Sequence, residues 1–95
     1  MDNNIITRIQ GLGSLKKLRW LDLSFNLIEK IEGLDNLILL EDLSLFSNHI
    51  TKLEGIDKLE NLNVLSVGAN MLNNLEDCLQ YLFKLRNNLE VLKIN

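Results

Sequence analysis

The sequence has few of the residues from which compact chemical sites are usually built. Its 95 residues include no proline, one cysteine and one histidine. A single cysteine cannot close an internal disulfide, which favours a reducing, intracellular environment and a cytoplasmic location. Cys78 and His49 lie 29 positions apart and have no further ligands at a suitable spacing, so we expect no metal site.

Long apolar runs and a strong charge of either sign are also missing. The longest apolar run covers residues 37–40, far fewer than the roughly 20 needed to cross a bilayer. The first residues do not form a signal peptide. A net charge of −3 and a pI of about 5.0 argue against general affinity for nucleic acid or anionic membranes. Without a linker or low-complexity segment, the chain is expected to form one domain.

Motifs for catalysis and cofactor binding are absent as well. Gly11 and Gly13 lie in a predicted turn and do not form a phosphate-binding loop. No serine has a histidine placed to act as its base, because His49 lies off the predicted strand face. We therefore expect no enzymatic activity and no cofactor.

What the sequence has in abundance is a leucine-rich pattern that recurs at a fixed period. The pattern LxxLxLxxNxI begins at Leu18 and recurs from Leu40 and Leu62. These starting positions give a 22-residue period, which lies within the range of leucine-rich repeats.

Apolar and polar residues alternate through a short predicted strand in each repeat. Leu21 and Leu23 point to the interior, whereas Asp22 points to solvent. One coil, meaning the chain from one strand to the next, cannot bury its apolar side alone, so successive coils must stack. We predict an α/β leucine-rich repeat solenoid with open ends. Short parallel strands would form the concave side, and turns and short helical segments the convex side.

Asn26, Asn48 and Asn70 recur at one position of the pattern, where each predicted strand ends. An asparagine amide carries two donors and an acceptor, so each can bond backbone groups of its own coil and the next. The alternative is that they are ordinary turn residues. Their recurrence at one position favours a structural column.

The predicted leucine-rich repeat domain covers residues 1–95. It divides into a partial repeat at 1–17, repeats at 18–39, 40–61 and 62–88, and a partial repeat at 89–95. The chain begins and ends within predicted strands that lack polar caps. We therefore expect a fragment of a longer protein that associates end to end or aggregates as its concentration rises.

The repeat at 62–88 is five residues longer than the others, and its apolar residues recur at helical spacing. These are Leu75, Cys78 or Leu79, Leu82, and Leu85 or Arg86. They predict a helix of two to three turns on the convex side, with Asn74 or Asp77 as N-cap. We interpret Cys78 as a small buried hydrophobe, with a reactive thiol as the alternative.

Smaller features of the convex side also lead to predictions. Residues 34–37 suit a short helical turn, and Gly33 suggests a positive φ or a close approach between coils. Ile38 and Leu39 form a small apolar pair that is expected to be exposed or packed as extra core.

The side chains between the buried leucines form a candidate protein-binding face, which also includes Ser24. Its proposed binding residues are Trp20, Asp22, Asp42, Ser44, Phe46, Val64 and Ser66. Trp20, Phe46 and Val64 would form an apolar diagonal, and the charges of the face sum to −2. These features predict a basic, partly apolar protein partner such as a helix lying in the groove. The alternative is that Trp20 only packs against neighbours across the sheet.

At these residues the chain resembles the 22-residue class of leucine-rich repeat proteins, which includes the nuclear phosphatase-1 regulator and axonemal dynein-associated proteins. The segment IEKIEGL at residues 28–34 carries this resemblance. Residues 20–26, 40–46 and 65–68, with the long repeat that contains Tyr81, are similar to the leucine-rich repeat subunit of the ciliary nexin–dynein regulatory complex.

The second resemblance implies a protein-binding module in an axonemal scaffold that regulates dynein-driven ciliary motility. Its partners would then be axonemal or dynein-associated proteins, and its location the ciliary axoneme. A phosphatase-1 regulator and a purely structural repeat fragment are the alternatives. The coiled coil that follows the repeats in the ciliary family does not occur in these 95 residues.

Overall fold

A computed structural model of the chain describes residues 5–85 and 89–93. Its strands are β1 (Trp20–Asp22), β2 (Asp42–Ser44), β3 (Val64–Ser66) and β4 (Val91–Lys93). Within this part of the chain a single helix, α1 (Leu75–Lys84), lies between β3 and β4 in sequence. The strand start predicted at 1–4, the end of the long repeat at 86–88 and the last strand residues at 94–95 lie outside the described residues.

The strands form one parallel sheet in the order β1-β2-β3-β4. Trp20 is in register with Asp42, Asp42 with Val64, and Val64 with Val91. The first three strands therefore follow the 22-residue period, whereas the step to β4 is longer. The α/β class with parallel strands is confirmed, and the sheet is open because β1 and β4 each have one strand neighbour in the described part of the chain.

Each of the first three strands buries its central leucine and turns its neighbours outward. Leu21, Leu43 and Leu65 are buried, whereas the residues on either side of them are at least partly exposed. This alternation follows from the two-residue repeat of side-chain direction in a strand. The backbone ladder continues past the strand ends, where Leu23 N donates to Ser44 O and Leu45 N to Ser66 O, both at 2.8 Å.

The core runs as one continuous layer through the stacked coils. The molecule measures only 34 × 30 × 17 Å, so the sheet and the opposite turns share one apolar interior. Its fully buried large side chains are Ile28, Ile31, Leu34, Leu37, Leu40, Leu43, Leu45, Ile50, Ile56, Leu59, Leu62 and Leu65. Every one of them lies at an apolar position of the 22-residue pattern.

Opposite the sheet, the 22-residue coils make tight turns, and the short helical turn predicted at residues 34–37 is a single hydrogen-bonded turn that does not extend into a regular helix. Leu37 N donates to Leu34 O and Leu40 N to Leu37 O, both at 3.0 Å. The buried residues are therefore three positions apart. Successive tight turns give this spacing, whereas an α-helix has 3.6 residues per turn. Ile38, in the second turn, is exposed, and Leu39 is half-buried.

Gly33 and Gly55 have both properties that were predicted for Gly33. Their φ angles are 73° and 75°, in the left-handed region that side chains disfavour. A Cβ on Gly33 would lie 3.1 Å from the carbonyl oxygen of Ile9, and a Cβ on Gly55 would overlap the carbonyl oxygen of Ile31. Glycine at these positions lets one coil approach the preceding one closely.

Helix α1 confirms the helix predicted in the long coil, and Asn74 is its N-cap. The Asn74 side chain accepts a hydrogen bond from Asp77 N, and Glu76 and Asp77 place acids in the first turn, where the helix dipole favours them. No helix in the described part of the chain has the length and apolar character needed to cross a membrane.

The inner face of α1 differs from the predicted one in part. Cys78 is buried, as predicted, and Leu82 and Leu85 are half-buried. Leu75 is instead exposed, and of the two alternatives Cys78 and Leu79, it is Cys78 that is buried and Leu79 that is exposed. The helix contacts the core through one narrow side, so only some of its apolar residues can be covered.

Candidate protein-binding face and asparagine column

The asparagines of the pattern lie where predicted, at the strand ends, and their amides bond the backbone of two coils. Asn48 Nδ2 donates to Leu45 O and to Leu23 O, both at 3.0 Å, and its Oδ1 accepts from Ile28 N at 3.1 Å. Asn70 makes the equivalent bonds to Val67 O, Leu45 O and Ile50 N. Each amide thus satisfies backbone groups that the strand ladder does not reach.

The direction of these contacts differs from the prediction. The side chains of Asn48 and Asn70 reach the preceding coil, whereas the sequence interpretation placed their second partner in the next coil. Asn26 Oδ1 likewise accepts from Ile6 N in the coil before it. After each strand the chain turns towards the interior, so the asparagine amide faces the preceding coil.

The sheet face carries two rows of side chains across the strands. Trp20, Asp42, Val64 and Val91 share one row, and Asp22, Ser44, Ser66 and Lys93 share the next. Neighbouring positions in a row are about 4.8 Å apart. The structure thus brings six of the seven proposed binding residues, all except Phe46, onto two adjacent rows.

The predicted apolar diagonal is wrong, because its members do not adjoin. Asp42 lies between Trp20 and Val64 in their row. Phe46 lies beyond β2 and packs edge to face on Phe25, with ring centroids 5.6 Å apart. Trp20 is 62% exposed, so it does not bury its ring against its neighbours in the sheet.

Ser24 was expected on the binding face but is buried, with 5% exposure. Its hydroxyl lies 2.6 Å from the Ser44 hydroxyl, and its backbone N–H donates to Asp22 Oδ1 at 2.9 Å. Asp22 and Ser44 therefore shape the strand ends in addition to lining the face, and a substitution at either would affect both roles.

The charges of the face are partly paired. Arg19 Nη1 lies 3.4 Å from Glu41 Oε2 at the exposed start of β1 and β2. Asp42 has no ion partner within 4 Å among residues 5–85 and 89–93. One unpaired negative charge of the face, that of Asp42, therefore lies beside Trp20.

Sequence reasoning missed the role of Tyr81, which fastens α1 to the preceding coil. Its hydroxyl accepts from Ile56 N at 3.1 Å and donates to Asp57 Oδ1 at 3.3 Å. Burial raises the pKa of Tyr81 above its ordinary value, and the bond from Ile56 N opposes this rise. A signal was present in the sequence, because Tyr81 follows Leu59 by one period and places a polar tip in a column of core leucines.

Among residues 5–85 and 89–93, three grooves lie beside the coils, and one of them, of about 550 Å³, is lined by residues 14–18. The other two lie near the later coils. One, of about 480 Å³, runs between α1 and residues 51–53 and includes Cys78 and Tyr81 in its lining. The other, of about 470 Å³, lies beside His49 and Met71. In the described part of the chain, no group of three or more His, Cys, Asp or Glu residues could hold a metal ion.

Comparison with known proteins leaves these geometric observations as the basis for function. No protein-family model matches the chain, and no curated protein matches it.

Proposed function

We propose that the chain is part of a leucine-rich repeat solenoid and that its sheet face binds another protein. Three features support the solenoid: parallel strands at a 22-residue period, a buried leucine at the centre of each of the first three strands, and asparagine amides that join successive coils. Such stacks present a rigid, extended surface on which side chains keep fixed spacings.

The exposure of Trp20 is the observation on which the binding proposal depends. An indole that is 62% exposed on a rigid sheet is unfavourable in water, and tryptophan is enriched among the residues that dominate binding energy. The carboxylate of Asp42 lies in the adjacent position of the row. Together they favour a partner that places an apolar residue on Trp20 and a lysine or arginine near Asp42.

A helix is the partner element that fits this surface best. It can place apolar and basic residues on one side at a repeat of about 5.4 Å, close to the spacing of about 4.8 Å between strands. The finer proposal, a module of an axonemal scaffold that regulates dynein-driven motility, depends on the family resemblance alone.

The test is differential capture from ciliated cells with quantitative mass spectrometry. Wild-type protein should enrich a partner that Trp20→Ala loses and Ile38→Ala retains. Ile38 is the matched control, because it is similarly exposed but lies on the opposite side of the molecule. With the identified partner, Trp20→Ala should weaken binding by about 2 kcal/mol, roughly 30-fold, without changing the circular dichroism spectrum.

The charge contribution is tested with Asp42→Lys, which should slow association and weaken its salt dependence. Asp42 is preferable to Asp22, because Asp22 also accepts the Ser24 N–H. If Trp20→Ala and Asp42→Lys both bind every wild-type partner unchanged, the sheet face is not the binding surface.

A further inference from the structure

An exposed indole and two carboxylates lie together at one end of the sheet face. Asp42 is in register with Trp20 on the adjacent strand, at a backbone spacing of about 4.8 Å. Asp22 follows Trp20 by two residues in β1, so it belongs to the same face at a backbone distance of about 7 Å. We call these three residues the tryptophan corner. Trp20 adjoins both acids and is largely exposed.

The two carboxylates of the tryptophan corner are not neutralised within the described part of the chain. Neither Asp22 nor Asp42 has a cationic group within 4 Å among residues 5–85 and 89–93. Arg19, which precedes Trp20, lies 3.4 Å from Glu41 Oε2, so these two charges largely offset each other. A group that binds at the corner should therefore be positively charged.

The Asp22 carboxylate is held in place before anything binds. Its Oδ1 accepts the Ser24 N–H at 2.9 Å, and the buried Ser24 is in turn bonded to the Ser44 hydroxyl. This bond leaves the second carboxylate oxygen for a ligand. An acceptor that is already fixed loses little conformational freedom when a ligand binds.

The chemistry of the corner distinguishes between the side chains that could cover Trp20. A purely apolar side chain would remove water from two unpaired carboxylates, which is unfavourable. A lysine would supply the charge, but its ammonium group is a compact, strongly hydrated point charge that does not cover a ring. The guanidinium of arginine is planar and charged, stacks on aromatic faces and carries several N–H donors. One arginine can therefore cover the indole and donate to both acids.

We propose that the tryptophan corner is an arginine-binding site, in which a guanidinium of the partner protein stacks on Trp20 and donates to Asp42 and Asp22. This inference rests on the proposed function, because it specifies the side chain that the sheet face recognises on its partner. A single arginine then supplies both the cover for the indole and the positive charge beside Asp42. Val64 and Val91, in the same row as Trp20, are left for apolar residues beside that arginine.

The test uses the single tryptophan of the chain, whose indole N–H gives one signal in a nitrogen–proton correlation NMR spectrum. The probes are pentaglycine peptides with blocked termini whose central residue is arginine, lysine or citrulline, an uncharged analogue of arginine. Titrated into the 95-residue chain, the arginine peptide should bind with a Kd in the millimolar range. The lysine peptide should bind at least about threefold more weakly, and the citrulline peptide should cause no saturable shift.

Amide substitutions test the two acids separately. Asp42→Asn should weaken binding of the arginine peptide by about threefold to fivefold, the effect of losing an exposed ion pair. Asp22→Asn keeps an oxygen that can accept the Ser24 N–H, and its effect should be smaller because one Asp22 oxygen is already bonded. Glu90→Gln is the matched control, since it removes the same charge from an exposed residue at the other edge of the sheet. Circular dichroism establishes that the variants are folded.

Trp20→Leu tests the stacking, with the backbone amide signal of Asp42 as the readout. Leucine keeps an apolar side chain but has no aromatic face, so the arginine and lysine peptides should bind this variant equally. A preference for arginine that survives in Trp20→Leu would overturn the proposal.

Failure of the arginine site can be distinguished from failure of the proposed function. Equal binding of the arginine and lysine peptides to the wild-type protein, or binding that Asp42→Asn leaves unchanged, would overturn the arginine site. The sheet face would still be the binding surface if Trp20→Ala loses a captured partner. Conversely, arginine binding as expected, with every captured partner retained by Trp20→Ala, would support the arginine site and contradict the protein-binding role of the face.

Discussion

The shorter and longer coils return to the sheet in different ways. The shorter coils are the 22-residue coils at 18–39 and 40–61, and the longer coil begins at residue 62. The shorter coils return to the sheet through tight turns that bury an apolar residue at every third position. The long coil returns through α1. Where the shorter coils have Gly33 and Gly55 with positive φ, the long coil has Asp77 within the helix.

The substitutions in the long coil show which parts of a coil must be kept. Cys78 takes the position of Ile56, and Tyr81 that of Leu59. The strand and the asparagine are unchanged, and β4 still pairs in register with β3. In this chain the sheet side therefore keeps its strand and register, whereas the opposite side exchanges turns for a helix that Tyr81 fastens to the preceding coil.

The largest expected effect comes from removing the asparagine column in a shorter coil. Asn48→Ala should reduce the free energy of unfolding by about 3 kcal/mol, because it leaves Leu23 O, Ile28 N and Leu45 O without their amide partner. Denaturant unfolding monitored by circular dichroism measures this loss.

Asn63→Ala is the control, at a half-buried position immediately before β3. Asn70→Ala tests the long coil, and its loss should approach that of Asn48→Ala because the same bonds are removed. Similar unfolding midpoints for Asn48→Ala and Asn63→Ala would contradict the role of the column.

The next effect tests how closely the shorter coils approach each other. Gly55→Ala should lose more than about 2 kcal/mol, because the residue has φ of 75° and its new Cβ would overlap Ile31 O. Gly33→Ala should lose less, since its Cβ would lie 3.1 Å from Ile9 O. Thermal unfolding of the variants gives the order.

Gly11→Ala is the matched control for backbone strain. Its φ is 76°, but nothing described lies within 4 Å of the added Cβ. It should lose about 1 kcal/mol, the cost of the left-handed conformation alone. Equal losses at Gly11, Gly33 and Gly55 would show that conformation, not close approach, requires glycine.

A smaller and local effect is expected where α1 is fastened to the coil before it. Tyr81→Phe should cost about 1 kcal/mol, because Ile56 N loses its acceptor. Hydrogen exchange should become faster in α1 and remain unchanged in β1 and β2. Uniformly faster exchange would show that the long coil and the shorter coils unfold as one unit.

Ionisation of the Tyr81 hydroxyl should make the stability of the fold depend on pH in the alkaline range. The pKa of Tyr81 is raised in the folded protein, so its stabilising contribution is present below the unfolded pKa of about 10. The contribution is lost as pH rises through the folded value. Because this is the only tyrosine, phenolate absorbance follows it directly. The Tyr81→Phe variant should show a shallower loss of stability above pH about 10.

The smallest effect, a gain, tests a feature that the two kinds of coil share. Phe25, Ser47 and Ala69 have φ between 53° and 59° just before the asparagine column. Ser47→Gly and Ala69→Gly should each stabilise by up to about 1 kcal/mol, because glycine adopts this conformation without steric cost. Ser66→Gly, within β3, should destabilise instead. Unequal gains would indicate that the geometry after the strand differs between coils.

Much of the candidate face could be predicted from the sequence, because strand alternation assigns each side chain to a face. Trp20, Asp42 and Val64 lie as alternation requires. The Ser24 hydroxyl lies beside that of Ser44 on the sheet face, but Ser24 follows the last strand residue and is buried, which alternation does not predict. Phe46 also lies beyond the last strand residue, where it packs on Phe25. Alternation makes no prediction beyond the last strand residue, where turn geometry decides direction.

By itself, the sequence determined the 22-residue period, the parallel strands, the leucine core and the asparagine positions. Each of these four features follows from residues that recur one period apart, and such recurrence can be read directly from the sequence. Only the tertiary structure decided that Leu75, Leu79 and Phe83 stay exposed while Tyr81 packs against the core. It also decided that Leu27 and Met71 line an outer flank. A side chain at these positions is buried only where a neighbouring coil packs over it. A helix and a turn of similar composition turn different side chains towards that neighbour.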